Sequence, residues 1–536
     1  EHRTSLFAGF HVALQRLTAA VLLLPKDSQK LLFGWLKHLP SEYFGRVVDV
    51  MQQYVTYVLT QPGQNQGDVS AAVMMLKTLW DVNAEMDGIL PEWCFQSLAI
   101  SQSDLQEHYR QWQQQQSLVF SYCRYPFLLN AFAKRRLLSF DVELRTQVTT
   151  QEIWAKTVRE GEASQVEARF QQLLTYRVRR EHILSDFCGQ IWWRIQNRPE
   201  CLCLPLTVDF LGEQGIDAGG LRKECLHLVL RELYSTQFFS ELEECPGLLW
   251  FQAGSMAPIN SEAAPPANVL YDGTWTEHLA EVAGAIVGLA VYNAIYLDFR
   301  LHPLMYRFLV QGTVSATLED LQSLHPTLYR SLRSLRKHDV RSLCLSWSVR
   351  LPGAAEDTAL GSGDVEPEDL ELFIQRYAQA ALHGGHENRI TAFVTSALLC
   401  MAVGPAFSLC TANDLELLIC GLPGMASFKE LEQSSVYANG YHADHPVVRV
   451  FWRVVHAMPE IWRRKLLLFC TGCDRVPILG LKALNFVVSR SSVELDHLPT
   501  ANTCINQLNL PEYPTEEMML IRLRAALEHY TGFGFA

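Results

Sequence analysis

The stretch TWTEHLAEVAGAIVGLAVYNAIYLDF (274–299) limits the folding of this chain more than any other. It is apolar over most of a helical circumference, so as a helix it has no face to offer water. No apolar run in the chain reaches the ~18 residues of a membrane span, LTAAVLLLP (17–25) included. The stretch is therefore expected to form a central buried helix with other elements packed around it. The chain has room for that: its 536 residues give about three or four domain-sized units. A balance of 49% hydrophobic to 19% charged residues is that of a folded globular protein and excludes long disorder. The net charge of −12 argues against non-specific nucleic-acid binding, which needs a basic face. The 14 cysteines are scattered, as reduced thiols are in the cytosol, and no signal-peptide cleavage pattern follows the N-terminal apolar run. A cytoplasmic location is expected. The chain begins with Glu1 rather than Met and is read as part of a longer protein.

Residues 1–163 read as helices. In DVSAAVMMLKTLWDVNAEM, Asp68 is a candidate N-cap, and Val69, Val73, Leu76 and Trp80 recur at helical spacing. SYCRYPFLLNAFAKRRLLSFD (121–141) reads as extended up to its proline and helical after it. From about Ser164, SQVEARFQQLLTYRVRREHILSDFCGQIWWRI reads as one long helical stretch. A strand (204–211), a glycine-rich turn and a helix from Leu221 follow. Composition marks two long loops, GSMAPINSEAAPPANVLYDGT and the acidic, Gly-rich LPGAAEDTALGSGDVEPED, the latter expected to be mobile. GLPG (421–424) is a candidate hinge. Beyond it come a helix around VVRVFWRVVHAM and a strand-like ALNFVVSR in which Leu484, Phe486 and Val488 alternate. The last helix, PTEEMMLIRLRAALEHY, can be capped by Thr515 and has Met519, Leu523, Leu527 and Tyr530 on one face.

Few motifs suggest a chemistry. GEQGIDAGGLRKE places glycines before a helix, where backbone amides attract anions. Gly220 is followed by Leu221, Arg222 and Lys223 rather than by the Lys-Ser/Thr of a phosphate loop, so the segment reads as a tight strand-to-helix turn. Cys470 and Cys473 have Cys-x-x-Cys spacing but no second pair to complete a structural zinc site, and buried thiols are expected. His383 with His386, and His442 with His445, are His-x-x-His pairs that lack the His-Glu-x-x-His of a zinc protease. Neither a metal nor a cofactor is expected. LPTANTCINQLNLPEY (498–513) differs from these. Cys504 lies among Asn502, Thr503 and Asn506, whose side chains hydrogen-bond, and the Leu-x-Leu-Pro-x-Tyr after it reads as packed structure. A thiolate is a nucleophile and acyl carrier that needs only partial exposure and a lowered pKa. Against that, a cysteine is usually buried and inert, and Cys504 is one of 14.

The stretch resembles the catalytic signature of HECT-type ubiquitin-protein ligases, Leu-Pro-x-x-His-Thr-Cys-Phe-Asn-x-Leu-x-Leu-Pro-x-Tyr. VRREHILSD, VDFLGEQGIDAGGLRKE, VGLAVYN, LHPTLYRSL, DLELLICG and TGCDRVPILG also resemble HECT segments, in the family's order, over 164–536. Upstream, LKTLWDVN and YCRYPFLLNAFAKRRLLSFD resemble the region before the HECT domain in small HERC ligases, whose N-terminal propeller repeats are not found in this sequence. The resemblance implies an α+β, predominantly helical fold with a bilobal catalytic domain. A helical region (1–163) would precede a large helical N-lobe (164–424), with a conjugating-enzyme-binding subdomain at about 315–378. A hinge (425–436) would lead to a small α/β C-lobe (437–536).

The implied activity is that of a ubiquitin-protein ligase. Cys504 would accept ubiquitin from a conjugating enzyme as a thioester and pass it to a substrate lysine, with Thr503 and Asn502 beside it. Leu332, Leu335, Phe373 and Tyr377 would meet the conjugating enzyme, and Phe533 would dock the C-lobe. The implied partners are a conjugating enzyme, ubiquitin and a protein substrate. Four positions depart from the family pattern. Asn502 replaces a His and does not titrate near neutral pH, Ile505 replaces an aromatic, Cys225 stands where Phe is common, and Arg336 replaces an apolar residue. Two alternatives therefore stay open: the same chemistry with a ubiquitin-like modifier, and a catalytically weak scaffold of the same fold that binds conjugating enzymes or substrates.

Overall fold

The computed structural model describes residues 2–60, 66–114, 119–160, 166–213, 220–252, 265–267, 269–315, 317–352, 356–383, 386–401, 404–422, 428–491, 497–503 and 505–529. The fold is α+β and predominantly helical. Its contacts divide it into two units, Glu1–Asp141 and Val142–Ala536.

The first unit is built on the Ser41–Thr60 and Gln66–Glu85 helices, whose Phe44, Val48, Met51, Val55, Val73 and Leu76 are buried. Trp80 stacks on Phe127 at 5.1 Å between ring centroids and meets Phe95 edge-on. The second helix begins ahead of Asp68, so Asp68 lies inside it and is not its N-cap.

In the second unit the central helix is Leu279–Tyr292, and every residue of it except Glu281 is buried. It is shorter than the apolar stretch. The chain leaves the helix at Asn293 and Ala294, the latter at φ 60°. The following segment is not helical, because its hydrogen bonds go to distant neighbours. Leu297 N–H donates to the Ile419 carbonyl (2.8 Å), and the Arg300 carbonyl accepts from Leu249 N–H (2.8 Å). The central helix lies against the Glu387–Met401 helix through Gly284 and Gly288, one turn apart. A Cβ at Gly284 would overlap the Phe393 carbonyl, and one at Gly288 would overlap the Ala397 carbonyl and the Cys400 side chain. Two bare Cα atoms therefore set the separation of the two backbones.

The stretch read as one long helix from Ser164 is interrupted. The Val166–Leu174 helix gives way to strand β1 (Thr175–Val178), and the helix resumes at Ile183–Asn197. β1 pairs in parallel with β2 (Thr207–Phe210), Tyr176 opposite Val208. Helical spacing carries no information about a partner that lies this far along the chain. Buried Arg194 secures the break. Its guanidinium donates to the carbonyls of Gln172, Leu173, Thr175 and Gln190 and lies 3.9 Å from the Tyr176 ring centroid. Carbonyls orphaned at the end of a helix thus gain a cationic donor.

β3 (Phe239–Leu242) and β4 (Cys245–Phe251) form a hairpin, as do β5 (Ser346–Arg350) and β6 (Asp357–Asp364). β6 falls in the acidic segment expected to be a mobile loop. One of its glycines has a packing reason: a Cβ at Gly361 would come within 2.8 Å of the Trp347 ring across the hairpin.

Residues 428–529 gather around a core of their own, which includes Phe428, Leu431, Phe451, Trp452, Leu467, Phe486, Val488, Leu508, Leu510, Met519, Leu523 and Leu527. A four-stranded sheet in the order β7–β8–β10–β9 runs through it: β7 (Val436–Ala438), β8 (Val487–Arg490), β9 (Thr500–Asn502) and β10 (Gln507–Leu510). β7 and β10 are parallel to β8, and β9 is antiparallel to β10. Of the 425–436 stretch, 425–427 lie outside the described residues. Phe428–Ser434 is a helix that buries Phe428 and Leu431 in this core. The alternation expected from Leu484 starts only at Phe486, because Leu481–Leu484 is a 3₁₀ turn and Asn485 is left-handed at φ 48°. In the final helix, Glu516–His529, the Thr515 hydroxyl accepts from Met518 N–H (3.2 Å), and Met519, Leu523 and Leu527 are buried. Tyr530 lies outside the described residues.

Candidate active site

β9 and β10 pair with Asn502 opposite Gln507 and Ala501 opposite Leu508, so the chain reverses between Asn502 and Gln507, with Thr503, Ile505 and Asn506 among the connecting residues. Cys504 itself lies outside the described residues, as does Phe533. Around position 504, Asn502 is exposed, Thr503 half-buried and Ile505 49% exposed. Asn506 takes a left-handed φ of 51°, and its side chain donates to the Leu484 carbonyl (2.5 Å) while its own carbonyl accepts from Val487 N–H (3.0 Å). The turn is thus tied to β8.

Below the turn, Leu508, Leu510, Pro511 and Tyr513 are buried. The Tyr513 hydroxyl donates to the His497 carbonyl (2.6 Å), and the Tyr441 hydroxyl donates to that of Leu510 (2.9 Å). The Leu-x-Leu-Pro-x-Tyr run is therefore a packed base beneath half-buried Thr503 and Asn506 and exposed Ile505. Alternation along β10 accounts for both faces, since successive side chains point to opposite sides of a strand.

The turn meets the Gly220–Ser235 helix. The Lys223 ammonium donates to the Thr503 carbonyl (3.0 Å) and to the Asn506 side-chain oxygen (2.7 Å). One turn further along that helix, buried His227 donates from Nε2 to the Tyr296 carbonyl (3.0 Å) and faces Gly472. Burial and the nearby Lys223 charge press the His227 pKa down to about 4, so its ring is neutral at physiological pH. Beside them, Arg300 pairs with Asp474 (2.9 Å), and Ile478 N–H donates to the Tyr296 hydroxyl (3.1 Å). Leu422 and Val476 exchange backbone hydrogen bonds of 2.7 and 3.3 Å.

Gly472 is left-handed at φ 75° and ends the Glu460–Thr471 helix, and a Cβ there would stand 2.8 Å from His227 Nδ1. Gly472→Ala combines left-handed strain with a displaced imidazole. It is expected to cost about 1–2 kcal/mol in urea denaturation. An unchanged midpoint would mean that the His227 contact yields freely.

The four residues assigned to conjugating-enzyme contact differ in access. Leu332 and Phe373 are 2% and 3% exposed, whereas Leu335 and Tyr377 are half-buried. Phe373 meets Trp347 and Tyr377 edge-on, and the Tyr377 hydroxyl donates to the Arg350 carbonyl (2.7 Å). The outward apolar side chain here is Leu372, 43% exposed. Next to it Arg336 makes a two-point ion pair with Glu371 (2.8 and 2.7 Å). The sequence pattern does not single out Leu372, although the helical face opposite buried Phe373 and Ile374 holds it.

The other described thiols are mostly sealed. Cys470 and Cys473 are buried, and burial pushes Cys473 up to about 12 and Cys123, Cys201, Cys203 and Cys420 up to about 11. Such thiols do not ionise at neutral pH and are poor nucleophiles. Among the described residues no cluster of His, Cys, Asp or Glu forms a metal-ligand set, and no helix is long and apolar enough to cross a membrane.

Comparison with known proteins adds a separate line. The sequence profile of the HECT-domain (ubiquitin-transferase) family matches residues 232–536. The human "Probable E3 ubiquitin-protein ligase HERC3" is 29% identical over 97% of this chain and 50% of its own length. Human "Probable E3 ubiquitin-protein ligase HERC4" is 28% identical over 96% of this chain and 50% of its own length. Mouse "Probable E3 ubiquitin-protein ligase HECTD2" is 26% identical, over 98% and 68% respectively. The chain spans about half the length of the two HERC relatives.

Proposed function

The chain belongs to the HECT-domain ubiquitin-transferase family, and from that premise we propose that it is a ubiquitin-protein ligase working through a thioester on Cys504. In the first step the Cys504 thiolate attacks the carbonyl of the thioester that joins ubiquitin to a conjugating enzyme. The carbonyl electron pair moves to oxygen and returns as the conjugating enzyme's thiolate leaves. In the second step a substrate lysine amine attacks the new thioester, the Cys504 thiolate departs and the amine gives up a proton as the amide forms. A thioester suits this role because it stays activated toward amines.

The observation that carries the reading is the reversal between β9 and β10, half-buried at Thr503 and Asn506, exposed at Ile505, and resting on the buried Leu508, Leu510 and Tyr513. A nucleophile in such a turn is reachable by two large acyl partners while its support stays rigid. The test is incubation with activating enzyme, a panel of conjugating enzymes, ATP and labelled ubiquitin, followed by a non-reducing gel. The expected result is an adduct that reductant removes. An adduct formed only with a labelled ubiquitin-like modifier would change the modifier and keep the chemistry. No adduct with any conjugating enzyme would favour a scaffold.

For the conjugating enzyme we take the face around Leu335 and Tyr377, with Leu332 and Phe373 as the packed support beneath. Leu372→Arg places a charge at the exposed apolar position of that face. It is expected to slow transfer from the conjugating enzyme about tenfold by raising the concentration needed for half-maximal rate, as loss of one apolar anchor does. A lowered maximal rate with unchanged half-saturation would place the contact elsewhere. The hinge expected at 425–436, with Phe428–Ser434 moving as part of the small C-terminal body in whose core it packs, and Phe533 as the docking side chain for transfer to substrate, belong to the same proposal.

A further inference from the structure

We propose that Lys223 is the positioning residue of the cysteine turn, supplied to the small C-terminal body by the helix that precedes it by some 280 residues in sequence. The inference rests on the ubiquitin-transfer reading for its role in transfer, and on geometry alone for its effect on the thiol. Lys223 bonds to the residues that bracket position 504, the Thr503 carbonyl on one side and the Asn506 side chain on the other. The opposite edge of Asn506 is held by Leu484. The turn is therefore clamped between β8 and the Gly220–Ser235 helix.

Two consequences follow. The Thr503 carbonyl belongs to the planar peptide group that leads into residue 504, so a bond to it fixes the plane from which that residue departs. The ammonium is also a full positive charge within a few ångströms of the peptide preceding the nucleophile. A cation there favours thiolate over thiol and any negative charge that develops during acyl transfer. Lys223 gains and loses no proton in either step. The clamp exists only while the two bodies are docked as here, through His227 with Gly472 and Arg300 with Asp474. Reactivity of the turn is thereby coupled to docking.

The experiment compares Lys223→Gln and Lys223→Arg with the parent in the full chain. The first readout is the rate at which iodoacetamide alkylates Cys504 at fixed neutral pH, followed by peptide mass spectrometry, which requires no ubiquitin. The second is single-turnover discharge of the preloaded thioester to free lysine over a range of lysine concentrations. Lys223→Gln is expected to slow alkylation about tenfold, because a thiol that loses a nearby cation ionises less readily. It is expected to lower the maximal discharge rate by a similar factor without changing the lysine concentration for half-maximal rate. Lys223→Arg keeps the charge and the donors and restores both to within about threefold. The proposal is overturned if Lys223→Gln alkylates within about twofold of the parent. It is also overturned if Lys223→Arg behaves like Lys223→Gln while melting at the parent's temperature. If the parent forms no ubiquitin adduct but the alkylation pattern holds, the ubiquitin reading fails and the clamp stands.

Discussion

Cys504→Ala is expected to abolish the reductant-sensitive ubiquitin adduct, a loss of about a thousandfold or more in transfer to substrate. No neighbouring side chain can form a reductant-sensitive adduct in its place, since acylation of the Lys223 amine would give an amide. Asn502, Thr503 and Asn506 offer amides and a hydroxyl, and the buried cysteines have thiols held in the un-ionised form by burial. Cys504→Ser sharpens the test, because an oxygen at the same place gives an ester that survives reductant and yields to hydroxide. An adduct that persists in Cys504→Ala and still yields to reductant would move the nucleophile to another cysteine. Exposed Cys344 would then be the first to replace.

Gly284→Ala is expected to be the most damaging single methyl group in the second unit. Two effects compete. Alanine is favoured over glycine within a helix by about 1 kcal/mol. Against this, the new Cβ overlaps the Phe393 carbonyl, a backbone atom in the middle of a packed helix that cannot rotate away. Overpacking of that kind costs about 1–3 kcal/mol and at times more, and here backbone meets backbone. The net expectation is a loss of about 2 kcal/mol, read as a lowered urea midpoint, with Gly288→Ala behaving alike. A gain in stability would mean that the two helices separate at little cost.

Features set by neighbours along the chain are legible in the order of residues. The central helix shows itself because it is apolar on every side. The final helix is marked by Thr515 and by Met519, Leu523 and Leu527 along one face. The packed run after Cys504 alternates over four residues of β10 and then turns at Pro511. Features that depend on a distant partner are not legible. β1 reads as helix because its flanks do, and only its pairing with β2 and the Arg194 bond to its Thr175 carbonyl make it a strand. β6 reads as loop because its glycines are judged alone, although Gly361 is where Trp347 packs. The apolar stretch ends its helix early because Leu297 and Arg300 bond to Ile419 and Leu249.

The candidate site divides in the same way. Its nucleophile and its support lie within one continuous run of sequence, so the order of residues from Leu498 to Tyr513 is enough to propose them. Lys223 reads in sequence as part of a glycine-rich turn that fails the phosphate-loop pattern and of a segment resembling the HECT family, neither of which places it beside Cys504. What the sequence alone determined was the hydrophobic patterning that makes a large helical core and the run that sets a cysteine directly ahead of a packed strand. What only the tertiary structure decided was which charge stands beside that turn, because Lys223 and Thr503 are 280 residues apart and no local pattern encodes a contact that exists only once two packed bodies meet.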